Sequence, residues 1–316
     1  MNNHEKKKIF LEAIDKKLKS LNLNELKKYE SLIGTGWRKR ILRLIFAPRT
    51  VFKLKFNILK NKLVGTEKNI NNFEFPFFYF LEQLNSLVEL KSIKFLIKNF
   101  KSEDIFYDIG AQYGLYTSLA LEFCKEVHSF EPFPDFFDFL ERNFNKYKNV
   151  FLNKLAISDQ VGKATITKIG TSIVEEVKKK YKTKEEEIEI NTITIDEYIK
   201  THSKPTIVKM DIEGAEFLAI KGGYEFFKNN SPVILMEVLG DEFLNISKKA
   251  VKLLAELNYE FYEINLDGSL SKISIDFIET LKGVNNLVFI KKSNNGFKKW
   301  KFVLLLKTNF IWIMIL

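Results

Sequence analysis

The residues of this chain whose types and spacing could do chemistry are carboxylates that close apolar runs and are followed at once by glycines. In Phe106-Tyr107-Asp108-Ile109-Gly110-Ala111-Gln112-Tyr113-Gly114 an apolar run ends in an acid and turns through two glycines. Gly110 permits the tight turn, and Gly114 stands where a side chain would block a ligand or the next element. About twenty residues on, a second apolar run, Val127 to Phe130, ends in Glu131-Pro132, where a carboxylate can accept hydrogen bonds from both hydroxyls of a ribose. A third, Ile207 to Met210, runs into Asp211-Ile212-Glu213-Gly214-Ala215-Glu216. Period-two alternation puts Lys209 and Asp211 on one face, and a lysine inside a strand requires a partner, either Asp211 or Glu237 of the next strand.

An acid at the tip of the first strand disfavours a phosphate and favours a cation. The pattern Gly110-x-x-x-Gly114 also lacks the third glycine that lies beneath a pyrophosphate, so a nicotinamide dinucleotide is the poorer fit. S-adenosylmethionine has an adenosine, a sulfonium and an ammonium but no phosphate, and it suits both Asp108 and Glu131.

These residues need a scaffold that brings strand ends together. From residue 103 onward apolar strands alternate with helical stretches, the pattern of an α/β, doubly wound, mostly parallel sheet. Strands are expected to end at Gly110 and Glu131, then a helix over 136–146, a third strand over 150–157, a buried strand from Ile207, a helix over 217–227 and a strand over 233–238. A helix over 247–257 and an antiparallel pair, 259–265 with 287–290 around Asp267-Gly268, complete it. Segments 163–169 and 188–195 alternate as a strand pair outside the parallel unit, with the charged stretch 175–187 between them. In an open parallel sheet the strand carboxyl ends share one edge, so Asp108, Gly110, Glu131, Asp159, Asp211 and Glu237 should converge there.

Ahead of this unit, residues 1–100 form a basic, mainly helical extension. Residues 5–33 have near-helical apolar spacing, 73–80 are an aromatic cluster around Pro76, and 84–100 read as the helix that delivers the chain into the first strand. The stretch 37–66 holds nine Lys or Arg and no acid. The net charge of +10 admits a polyanionic partner or a membrane surface. A single cysteine, Cys124, cannot pair within the chain, and the amino terminus has no apolar signal region, so a cytoplasmic location is expected. Residues 293–316 form a basic and apolar tail too short to span a bilayer, suited to docking or to an interfacial position.

Taken together, the motifs resemble the FkbM family of S-adenosylmethionine-dependent methyltransferases. The residues that carry the resemblance are Asp108-Ile109-Gly110-Ala111 with Gly114, Phe130-Glu131-Pro132, Ala156-Ile157-Ser158-Asp159 with Gly162, Thr194-Ile195-Asp196-Glu197, and Lys209-x-Asp211-Ile212-Glu213-Gly214-Ala215-Glu216. Gln112-Tyr113 departs from the family pattern. The resemblance implies a Rossmann-like class I methyltransferase domain over 101–292 and methyl transfer to an oxygen of a sugar, as in a surface-glycan pathway, or of a secondary metabolite. By position Asp108 and Gly110 would hold the amino-acid part of the cofactor, Glu131 the ribose and Asp159 the adenine amino group. A hydroxyl acceptor must lose its proton, so a base is needed at the same edge. Asp211 is the candidate, with Lys209 orienting or neutralising it and Glu213 and Glu237 in reserve.

The histidines do not compete for that role, since His4 lies in the polar leader, His128 within a strand and His202 at the opposite edge. No Cys/His cluster of zinc spacing exists, although a divalent ion held by Asp211 and Glu237 remains open. The other classes weighed are a nicotinamide-dependent oxidoreductase and a non-catalytic polyanion- or membrane-binding protein. No recognition-helix or RNA motif is present, so nucleic acid is not expected as a partner.

Overall fold

The computed structural model describes residues 2–20, 86–167 and 187–292. The expected features at 21–33, 37–66, 73–80 and 175–186, and the tail at 293–316, lie outside the described residues. The first helix, α1 (Asn3–Ser20), packs on α2 (Leu87–Asn99), whose amino end is capped by the Ser86 hydroxyl accepting from the Glu89 N–H. The sheet then begins with β1 (Ile105–Ile109), α3 (Leu115–Ala120), β2 (Glu126–Phe130), α4 (Pro134–Phe144) and β3 (Val150–Asn153). A smaller sheet follows from β4 (Ala156–Ile157), β5 (Gly162–Thr167) and β6 (Glu187–Ile193), and α5 (Ile195–Tyr198) leads back. The remaining elements are β7 (Ile207–Met210), α6 (Glu216–Gly222), α7 (Tyr224–Asn229), β8 (Val233–Leu239), α8 (Leu244–Glu256), β9 (Tyr259–Ile264), β10 (Leu270–Ile273), α9 (Ile275–Ile278) and β11 (Val284–Lys291).

The large sheet has the order β10-β9-β11-β8-β7-β1-β2-β3. Five neighbouring strands, β3, β2, β1, β7 and β8, run parallel, and β11 enters antiparallel between β8 and β9. This is the doubly wound α/β architecture expected from the alternation of strands and helices. Because the chain crosses from β1 outward through β2 and β3 and later returns to β7 on the other side, the carboxyl ends of β1 and β7 form the switch point where such sheets bind ligands.

Strand alternation divides the core between the two faces of the sheet. Phe106, Val127, Leu235 and Val288 pack with Phe95, Leu96 and Phe100 of the α2 layer, joined by Ile14 of α1. Tyr107, Val208, Met210 and Met236 pack with Ala219, Ile220, Val251 and Leu254 on the other face. Each fully buried phenylalanine contributes about 1.5–3 kcal/mol relative to exposure. Helix α2 thus covers one face of the sheet, and α1 is fixed to α2 by Asp15 with Lys94 and to the turn after α3 by Phe10 against Phe123 and by Lys6 to Glu122 at 3.0 Å.

Three expected elements differ. The third strand is two, because after Asn153 the chain leaves the large sheet and Ala156–Ile157 pair parallel with β6. The helix over 217–227 is likewise two, meeting at Gly222-Gly223. A Cβ at Gly222 would lie 2.0 Å from the Ser158 carbonyl oxygen, so the chain at 158 presses directly on the helix backbone. Asp267-Gly268 turns β9 into β10, an unexpected strand, while β9 pairs separately with β11. The expected strand pair outside the large sheet is β5 with β6, antiparallel over Gly162–Thr167 and Glu187–Thr192.

Candidate functional site

The site lies where β1 and β7 end side by side. Gly110 has φ +82, and a Cβ there would sit 1.9 Å from the Asp211 carbonyl oxygen, so only glycine lets the two strand ends approach. The N–H groups of Gly110 and Ala111 donate to the Phe130 carbonyl at 3.0 Å each, tying the turn to β2. Gln112, also at positive φ, donates its N–H to Glu131 Oε2 at 2.8 Å, and Phe133 N–H donates to Oε1 at 2.9 Å. Glu131 is buried, and burial pushes its carboxyl up to about 7 against the pull of those two N–H groups.

Next to it, Lys209 Nζ donates to Asp211 Oδ2 at 3.2 Å and to the Gly110 carbonyl at 3.4 Å, and lies 5.0 Å from the centre of the Tyr116 ring. Burial works against the lysine's charge, but Asp211, Asp108 and Glu89 outweigh it and hold the ammonium above its ordinary pKa. Asp211 is part-exposed at the site, whereas Glu216 is buried and Glu237 has a buried Oε2 without a hydrogen-bond partner. Glu216 Oε1 accepts from the Ile212 N–H at 3.0 Å, its Oε2 is buried without a hydrogen-bond partner, and burial raises the group to about 7. Glu237 is pushed well up by burial and then by Asp211, Glu213 and Glu216.

A cleft opens beside these groups, with Gly110, Gln112, Glu131, Asp211 and Glu213 on its polar side and Phe130, Phe136, Leu155 and Ile157 on its apolar side. Four expected site residues, Gly110, Glu131, Asp211 and Glu213, therefore share one cavity, with Lys209 directly behind them.

Three others do not line the cleft, and the expected row of acid tips is corrected at Asp108. Asp108 is fully buried, accepting from the Thr117 hydroxyl at 2.7 Å, because it precedes the last residue of β1 and points into the helix layer. Its Oδ1 has no hydrogen-bond partner. Gly114 caps α3 in the left-handed region, and a Cβ there would meet Phe144 at 2.4 Å, so it serves packing against α4. Asp159 is paired with Lys221 at 2.8 Å, beside a cleft wall made by Leu155, Ala156 and Ile157. Glu89 and Tyr116 were missed because they lie in elements that read only as packing. His128 is a core residue, as expected. Among the described residues no group of three His, Cys, Asp or Glu side chains could hold a metal ion, and no helix is long and apolar enough to cross a membrane.

A family model described as the methyltransferase FkbM domain matches residues 108–261, the segment that builds the cleft. The chain carries an FkbM methyltransferase domain. This FkbM domain takes S-adenosylmethionine as cofactor, and the residues present fit it. The apolar wall suits an adenine, the anchored Glu131 carboxylate suits a ribose, and the acids suit a cation. The hexuronic acid methyltransferase AglP of Haloferax volcanii is 27% identical over 185 residues, covering 55% of this chain and 72% of that protein. The crystal structure of methyltransferase FkbM from Methylobacillus flagellatus aligns over 75% of this chain and 60% of its own length, at 14% identity and TM-score 0.41. A precorrin-6y C5,15-methyltransferase from Geobacter metallireducens aligns over 65% and 87%, at 14% identity and TM-score 0.39.

Proposed function

We propose that the protein transfers a methyl group from S-adenosylmethionine to a hydroxyl of a sugar. One observation carries this reading: Glu131, Asp211 and Glu213 line the cleft, and among the described residues no cationic side chain does. Such a wall attracts a positively charged nucleoside and opposes a phosphate, which separates this site from a nicotinamide dinucleotide site. The cofactor, when bound, supplies a methyl group on a sulfonium that is already a good leaving group. Positioning then provides most of the acceleration.

Within that reading Glu131 receives the ribose hydroxyls, and Gly110 gives backbone access beside the methionine end. Asp108 acts from behind, through Lys209. Asp159 receives the adenine amino group with Lys221 as its counter-ion, and Gly114 holds the glycine turn against α4. Asp211 accepts the proton of the acceptor hydroxyl, Lys209 fixes its Oδ2, and Glu213 orients the acceptor at the cleft rim. Burial and the neighbouring carboxylates raise the Glu237 carboxyl, which leaves Asp211 as the base of this reading. The sugar as acceptor is supported by the relative that methylates hexuronic acid. A cytoplasmic location, with stretches 37–66 and 297–316 touching the membrane surface, belongs to the same reading.

Calorimetric titration of the full chain with S-adenosylmethionine and with NADH tests the cofactor. Binding of the first alone is expected, and binding of NADH alone overturns the proposal. Incubation with S-adenosylmethionine and an extracted glycan mixture, read by mass spectrometry, should then add one methylene in mass per acceptor.

A further inference from the structure

We propose that the side-chain amide of Gln112 receives the carboxylate at the methionine end of the cofactor, the one anionic group that S-adenosylmethionine brings into an acidic cleft. The proposal deepens the reading of the cleft as the cofactor site and rests on it.

The fold leaves the methionine end short of side-chain partners. Asp108, which by position would have held it, is buried against Thr117. Lys209 is buried behind the wall, with its Nζ given to Asp211 and to the Gly110 carbonyl, and Lys221 is paired with Asp159 at 2.8 Å. A carboxylate entering the cleft meets Glu131, Asp211 and Glu213, three groups of its own sign. Among the described residues of the lining, Gln112 is the one side chain that is polar without being a carboxyl, and its amide offers two N–H donors. A neutral donor holds the anion without cancelling the acidic field that attracts the sulfonium, as a lysine or arginine there would.

The backbone fixes the place from which that amide reaches. Residues 111–114 form a turn closed by the Gly114 N–H donating to the Ala111 carbonyl at 2.7 Å, with Gln112 at the first corner at φ +48. The N–H of Gln112 itself donates to Glu131 Oε2 at 2.8 Å. Tyr113, at the second corner, meets the rings of Phe136 and Phe139 edge-on, with centres 4.8 and 5.2 Å away, and Phe136 is part of the cleft wall. Gln112 thus joins Glu131, read as the receiver of the ribose, to the Gly110 turn, beside which the methionine end lies in the same reading.

The test needs no acceptor. Decarboxylated S-adenosylmethionine keeps the nucleoside, the sulfonium and the amine and lacks only the carboxylate. Its affinity and that of S-adenosylmethionine are measured by calorimetry on the full chain, for the parent, Gln112→Ala and Gln112→Glu. Gln112→Ala should bind S-adenosylmethionine about tenfold more weakly or worse, the worth of a hydrogen bond to a charged group, and the decarboxylated ligand as tightly as the parent does. Gln112→Glu keeps the size of the side chain and the backbone bond to Glu131. It should reject S-adenosylmethionine further and hold the decarboxylated cation at least as well as the parent. Equal losses for the two ligands in Gln112→Ala, or an unchanged affinity for S-adenosylmethionine in both variants, overturn the proposal. A parent that binds neither ligand overturns the cofactor reading as well, which keeps the two failures apart.

Discussion

Glu216 provides the most direct check on the electrostatics of the site, because its effect is read from stability alone. Its carboxyl is 1% exposed, has one oxygen without a hydrogen-bond partner, and is pushed by burial from 4.5 to about 7. At about 1.4 kcal/mol per tenfold change in proton affinity, the ionised form costs the fold roughly 3 kcal/mol. The sign follows from linkage: between 4.5 and about 7 the folded chain binds more protons at this group than the unfolded chain, so stability falls as pH rises. The cost is absent below that window and complete above it. Glu131 adds a contribution of the same sign over the same window. Glu216→Gln retains an oxygen to accept from the Ile212 N–H and removes the charge. Urea unfolding at pH 5 and pH 8 should show the variant losing less stability than the parent, with a difference at pH 8 of up to about 3 kcal/mol. Parallel losses in the two proteins would refute the reasoning, for they would mean that Glu216 carries its charge in the fold without penalty.

Asp211→Asn should retain cofactor binding by calorimetry while methyl transfer to an accepting glycan falls by about 10²–10⁴, the usual worth of a general base. Gly110→Ala should destabilise by more than the roughly 1–3 kcal/mol of a strained left-handed residue, since its Cβ would also part β1 from β7, and the melting temperature and cofactor binding should drop together. Lys209→Met should cost about 3–5 kcal/mol at pH 7 by leaving Asp108 and Asp211 without their shared cation, and should lose less at pH 5, measured by denaturant titration.

The strand ends were legible because β1, β2 and β7 are short, buried and largely apolar runs, each followed at once by a glycine or an acid. The same property hid the break after Asn153. Val150 to Ile157 stays compatible with a single strand, and only the partner changes, from β2 to β6. Period two put Lys209 and Asp211 on one face and left Asp211 or Glu237 as the lysine's partner; in the fold it is Asp211. Asp108 was misplaced by one residue of that same period, which turned its side chain from the rim into the helix layer. Glu89 could not be found this way, because an acid in the first turn of a helix already has a local explanation in the helix dipole. Its meeting with Tyr116 joins positions 27 apart in the chain and exists only once α2 and α3 share a layer.

The position of β11 bears on how the chain reaches its folded form. Val284–Lys291 slots between β8 and β9, both made earlier during synthesis, and hydrogen-bonds to each. A nascent protein therefore carries two open ladders, one on either side of a vacant lane, until this late segment emerges from the ribosome. Those bare amide rows invite pairing with other chains. Interruption of translation just upstream of Val284 should accordingly yield an insoluble product, not a smaller working one.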